Sequence, residues 1–353
     1  MKKMLGFTLV LTTIFGVSCS SSESSGQTAE QSEEPVAEEE VVEEVVTEEV
    51  TDVEPINVAT LTGPTGMGMA KLMHDDALDV TVNDYNFEVL SGVDEIAPKV
   101  VQGEVDVITV PANLASVLYN KTEGGVSVLA VNTLGVLYIL DKDGSIQSVA
   151  DLEDKTIYSS GYGATPEYVL NYVLEGNGLV PGENVTVEYK SEQAEVVATI
   201  TGLDDGVAML PEPFATTAKM KDESLRTALD LTEEWDKLQE GAENPSSLIT
   251  GVVIARNEFI EENPEGVETF MSEYMESINF TNENVEEAST IIEEQGIFKA
   301  AVAKQAIPLC NIVYIDGEEM ENSLSGYLQV LYDQNPASVG GTLPSEDFYY
   351  AKK

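Results

Sequence analysis

In 353 residues there are 64 Asp and Glu against 17 Lys and Arg, a formal charge of −47. Such a chain repels phosphates, which excludes nucleic acid and anionic membrane surfaces as partners. A single histidine, His74, excludes a His/Cys metal centre, and with only Cys19 and Cys310 no intramolecular disulfide is possible if Cys19 carries lipid. The acidic excess is spread over many elements and suits a saline medium, where screening removes self-repulsion.

Lys2 and Lys3 open the chain ahead of an apolar stretch over 5–17. That run is too short to span a bilayer and predicts a secretory signal over 1–18. Gly16, Val17 and Ser18 before Cys19 resemble a bacterial lipobox, although that motif usually has a larger aliphatic residue in place of Gly16. The resemblance implies that Cys19 becomes the first residue and carries lipid; cleavage near Ser18 or Ser20 without an anchor is the alternative. Residues 19–54 form a Ser- and Glu-rich tether without Lys, Arg or aromatic residues. So little apolar surface cannot offset the entropy of ordering, which predicts an extended, solvated spacer.

From Ile56 onward the apolar pattern changes. Strands are predicted at 56–62, 85–90, 105–110, 127–133 and 136–140, with helices at 66–73, 93–102 and 114–120 between them. A second series places strands at 155–159, 185–189, 207–210 and 228–231, separated by helices at 166–176, 191–201 and 214–221. Val107-Ile108-Thr109-Val110-Pro111 and Val207-Ala208-Met209-Leu210-Pro211 repeat one unit at an offset of 100. Each is a buried run stopped by a proline, which cannot donate to a ladder but is tolerated where a helix begins. The chain then returns through a strand at 247–255 and helices at 257–262, 264–277, 282–294 and 317–334.

Two α/β halves follow from this order, each a mostly parallel sheet flanked by helices. If the segments at 136–140 and 249–255 both cross between lobes, lobe one combines 56–137 with 250–353 and lobe two is 138–249. Two crossings make a hinge. Ligands of open α/β sheets sit at the strand carboxyl ends, so a cleft between the lobes is expected.

Gly63-Pro64-Thr65-Gly66-Met67-Gly68, Gly103-Glu104-Val105-Asp106-Val107 with Pro111-Ala112-Asn113, Gly161-Tyr162-Gly163-Ala164-Thr165-Pro166-Glu167, and Leu210-Pro211-Glu212-Pro213-Phe214 resemble the type 2 periplasmic binding proteins. The nearest branch is the nitrate, sulfonate, taurine and thiamine-precursor receptors of ABC importers, the NMT1/THI5-like group, and the resemblance covers about residues 56–350. It implies a lipid-tethered, monomeric receptor on the outer face of the bacterial cytoplasmic membrane. Such a receptor closes on a small solute and presents it to permease and ATPase subunits, with no cofactor, metal or catalysis.

The candidate site residues are Thr65, Gly66, Met67, Asn113, Tyr162, Gly163, Ala164, Thr165, Glu212 and Phe214. The two Gly-rich loops open helices, where unpaired N–H groups and the helix dipole favour an anionic group. Asn113 offers a donor and an acceptor, Glu212 an acceptor for an amine or ring N–H, and Tyr162 and Phe214 stacking surface. Glu212 also fits a purely stabilising place at a helix start. Amino-acid receptors of the wider superfamily typically hold the α-carboxylate with an arginine, and none is among these residues, so the resemblance implies a sulfonate-type or carboxylate anion or a thiamine-precursor-like heterocycle rather than an amino acid. A ligand-sensing surface lipoprotein is the main rival function. A pyrimidine-precursor synthase is a weaker one, because His74 and Cys310 stand in unrelated contexts and assemble no catalytic group.

Overall fold

The computed structural model describes residues 54–242 and 245–351. The signal segment, Cys19 and nearly all of the tether lie outside the described residues. Among the described residues, no helix is long and apolar enough to cross a membrane.

The chain enters through β1 (Ile56–Leu61), α1 (Pro64–Ala77), β2 (Tyr85–Leu90), α2 (Ile96–Gln102), β3 (Val107–Pro111), α3 (Ala112–Lys121) and β4 (Val126–Leu134). It crosses into a second sheet with β5 (Leu137–Asp141), β6 (Thr156–Ser160), α4 (Thr165–Gly176), β7 (Thr186–Lys190), α5 (Gln193–Gly202), β8 (Val207–Pro211), α6 (Phe214–Lys221), β9 (Arg226–Asp230) and α7 (Leu231–Gln239). It returns with β10 (Ile249–Arg256), α8 (Asn257–Glu262), α9 (Pro264–Glu283), α10 (Val285–Glu294), α11 (Ala300–Ala306), β11 (Ile312–Ile315) and α12 (Gly317–Gln334).

The first sheet has the order β11-β4-β10-β3-β1-β2 and the second β7-β6-β8-β5-β9. Read from the β2 and β7 edges they are the same arrangement: β2-β1-β3 matches β7-β6-β8, all parallel, and then one antiparallel strand follows, β10 or β5. The repeated proline units occupy equivalent places, with Pro111 opposite Gly251 and Pro211 opposite Leu137. Most strands of each sheet share one direction. The pairing is mixed because β10 and β5 each run against both of their neighbours and β11 runs against β4.

Each sheet is covered on both faces. Helices α1, α9 and α10 pack Met67, Met69, Phe270, Tyr274 and Ile291 on one face of the first sheet. On the other face, Ala115 and Leu118 of α3 and Leu324 and Tyr327 of α12 join a cluster that continues into the second lobe. There, Trp235 of α7 lies 4.3 Å from Tyr172 of α4 and 5.5 Å from Tyr327, ring centre to ring centre. Its indole N–H donates to the Ser246 carbonyl at 3.0 Å. The remaining face of the second sheet is covered by α5 and α6 through Val196, Ile200, Ala215 and Ala218.

The passage from β4 to β5 is only Gly135 and Val136. Asn311 donates to the Gly135 carbonyl at 2.6 Å, and the Glu212 amide donates to the Val136 carbonyl at 2.9 Å. A Cβ at residue 135 would stand 2.1 Å from Thr232 Oγ1 and 2.8 Å from Leu248 Cδ2, so only glycine fits there.

Candidate functional site

The carboxyl ends of β1, β2 and β3 meet those of β6, β7 and β8 around a cavity of about 820 Å3. Each strand delivers a short loop. Thr62 follows β1, Ser91–Asp94 follow β2, and Asn113, Leu114 and Val117 come from the start of α3. From the other lobe come Ser160, Gly161 and residues 163–166 at the end of β6, residues 191–194 after β7, and Phe214 after β8; Ala337 and Ser338 contribute from beyond α12.

The ten residues expected at the site divide into two groups. Asn113, Gly163, Ala164, Thr165 and Phe214 line the cavity. Asn113 and Thr165 also meet each other across it, the Thr165 hydroxyl donating to Asn113 Oδ1 at 2.9 Å. The Asn113 amide donates in turn to the Ser338 carbonyl at 3.2 Å. Phe214 stands 5.7 Å from Phe298, ring edge to face.

Thr65, Gly66, Met67, Tyr162 and Glu212 do not line this cavity. Met67 is fully buried in the core under α1, and a Cβ on Gly66 would lie 2.3 Å from the Leu61 carbonyl oxygen, so this glycine serves helix packing. The methyl group of Thr65 is turned toward Gly251. Tyr162 is 75% exposed and packs edge-on against Tyr189 beside a separate surface hollow. Glu212 is 1% exposed, and its carboxylate accepts from the Thr216 amide at 3.1 Å and the Thr216 hydroxyl at 3.0 Å, capping α6. Burial raises its pKa above the ordinary carboxylate value, against the opposing Thr216 bonds and Lys219 at 3.9 Å.

Sequence reasoning overlooked the loops after β2 and β7, which bring Ser91, Asp94, Ser191, Glu192 and Gln193 to the cavity. It also treated loop amides as free donors. In the structure three loops have one or two of theirs occupied by a carboxylate of the same segment. Glu95 accepts from the amides of Ser91 and Gly92, both at 3.1 Å. Glu167 accepts from Gly163 at 2.5 Å and Glu195 from Ser191 at 3.0 Å. Pro166, in the first turn of α4, has no N–H to offer. The signal was present in the sequence as a Glu three or four residues after each loop, the spacing of a capping carboxylate.

Among the described residues, none lining the cavity is Lys, Arg or His, and the only charged ones are Asp94 and Glu192. Hydroxyls of Thr62, Ser91, Ser160 and Ser191 supply neutral donors, while Val93, Leu114, Val117, Pro166 and Phe214 supply apolar surface. The cavity can therefore hold a small, partly apolar molecule through hydrogen bonds and two carboxylates, one from each lobe.

Residues 125–288 match the model of the NMT1/THI5-like family. Among solved structures, the chain is similar to an ABC transporter protein from Parabacteroides distasonis, with 24% identity over 85% of this chain and 99% of the other, and a TM-score of 0.71. It also resembles the periplasmic aliphatic sulphonate-binding protein SsuA from Escherichia coli, at 13% identity over 85% and 93% of the two chains, TM-score 0.67. A ligand-binding component of an ABC-type import system from Staphylococcus aureus matches at 15% identity over 84% and 97%, TM-score 0.61. No curated protein matches the sequence. The two symmetric lobes, the cleft at their strand ends and these likenesses identify the chain as having the type 2 periplasmic binding protein fold, with the NMT1/THI5-like family as its match in sequence.

Proposed function

We propose that this chain is the solute-binding component of an ABC importer, held by lipid on Cys19 at the outer face of the bacterial cytoplasmic membrane. The lobes at 56–137 with 250–353, and at 138–249, close on one small solute, and the loaded monomer is presented to permease and ATPase subunits. One observation carries the reading: a cavity of about 820 Å3 lined by strand carboxyl ends from both sheets, whose first crossing is the two-residue link Gly135-Val136. A cavity of that size suits a small molecule. A bond such as that between Thr165 and Asn113, made from lobe to lobe, favours the closed arrangement. The roles of the solved neighbours, an ABC transporter protein, a sulphonate-binding protein and a ligand-binding component of an import system, support the same reading.

Reconstitution with the cognate permease and ATPase tests this. Solute-loaded chain is expected to raise ATP hydrolysis severalfold over the empty chain. A folded, solute-bound chain that leaves hydrolysis unchanged would refute the importer role in favour of sensing.

A further inference from the structure

Resting on that reading of the cleft, we infer that its solute is an organic cation, a small molecule with a protonated or quaternary nitrogen received by Asp94 and Glu192. Three independent features point the same way. First, the charged side chains lining the cavity are both carboxylates, one from each lobe, and neither has a hydrogen bond or ion pair among the described residues. Second, four of the loop amides with which this architecture would hold an anion are already taken: Glu95, Glu167 and Glu195 accept from Ser91, Gly92, Gly163 and Ser191 in the loops after β2, β6 and β7. A sulfonate using those amides would have to displace a carboxylate held intramolecularly, and among the described residues the cavity lining has no lysine or arginine to compensate. Third, the chain carries a net charge of −47, which draws cations toward the cleft and repels anions.

The placement couples charge to closure. Asp94 and Glu192 stand on opposite walls, so closing the empty cleft brings like charges together, and a cation between them removes that opposition. Leu114, Val117 and Phe214 cover the hydrocarbon part, and the Phe214 ring adds an electron-rich face to which a cationic nitrogen is attracted.

The test is calorimetric titration of the full chain with primary and quaternary alkylammonium ions, their neutral carbon isosteres and size-matched alkanesulfonates. Binding by the ammonium series alone is expected, with affinity falling about tenfold or more in each of Asp94→Asn and Glu192→Gln while both variants keep the wild-type melting temperature. Tighter binding of a sulfonate or of a neutral isostere overturns the inference, as does an unchanged ammonium affinity in the double variant or no response to any ammonium ion. The importer reading is judged separately by ATPase stimulation. A sulfonate that binds and stimulates would sink the cation and keep the importer, whereas an ammonium ion that binds without stimulating would do the reverse.

Discussion

Glu212 stood among the candidate ligand contacts in the sequence, and the structure makes it a buried cap. The two roles predict opposite phenotypes. In Glu212→Ala the Thr216 amide and hydroxyl lose the acceptor they reach at 3.1 and 3.0 Å, and Thr216 is itself buried. A buried donor left without a partner costs about 1–3 kcal/mol, and release of a buried carboxylate offsets part of that. A net loss of about 2 kcal/mol corresponds to a fall in Tm of about 4 °C for a body of this size. Glu212→Gln keeps an acceptor and removes the charge, so at neutral pH it should melt at or above wild type. The pH response fixes the sign. Burial raises the folded pKa of Glu212, so the folded state binds the proton more tightly than the unfolded chain. Stability is gained as pH falls through the raised folded pKa toward the ordinary carboxylate value, and lost as pH rises through it. Thermal melts of wild type and the two variants across that interval should show the wild type gaining on Glu212→Gln as pH falls. If Glu212→Ala melted with wild type yet lost its solute, or if the Gln comparison were flat with pH, the assignment as a buried cap would be wrong.

Four further outcomes are expected. Gly135→Ala should lose about 2 kcal/mol through contact with Thr232 and Leu248, and adding Thr232→Ala should recover about half, as a double-mutant cycle of melting curves would show. Thr165→Val breaks the bond to Asn113; at about 1 kcal/mol this shifts the balance roughly fivefold toward the open form, visible as a larger radius of gyration by small-angle scattering. Melting temperature should climb between low and molar salt as the charge of −47 is screened, and a flat response would dismiss the saline-medium reading. In Glu167→Ala the Gly163 amide is released, so sulfate should gain weak, titratable affinity that the wild type lacks.

The sheets were legible because their strands carry local signatures. Val107–Pro111 and Val207–Pro211 read as paired units, and they are the third strands of two matching sheets. The neighbours β10 and β5 take between strands were not legible, since register between segments far apart in the chain leaves no mark on either segment alone. Helices α7 and α11 and strand β11 were also missed, being nine, seven and four residues long and so offering little length over which periodicity can be read. At the site, Asn113 and residues 163–165, singled out in the sequence, lie in the walls of the cavity. What they concealed was orientation. Met67 and Glu212 sit next to the cleft in sequence but turn inward, and a polar or apolar residue type does not say which way it faces.

The three carboxylates that occupy the loop amides also govern what happens when nothing is bound. Glu95, Glu167 and Glu195 act as built-in occupants, holding the walls of the empty cleft in shape. Such walls do not need a solute to become ordered, so little conformational entropy is lost when one arrives. The difference between an empty and a loaded receptor is then carried by the angle between the lobes. A transporter that must tell the two apart would have to read that angle.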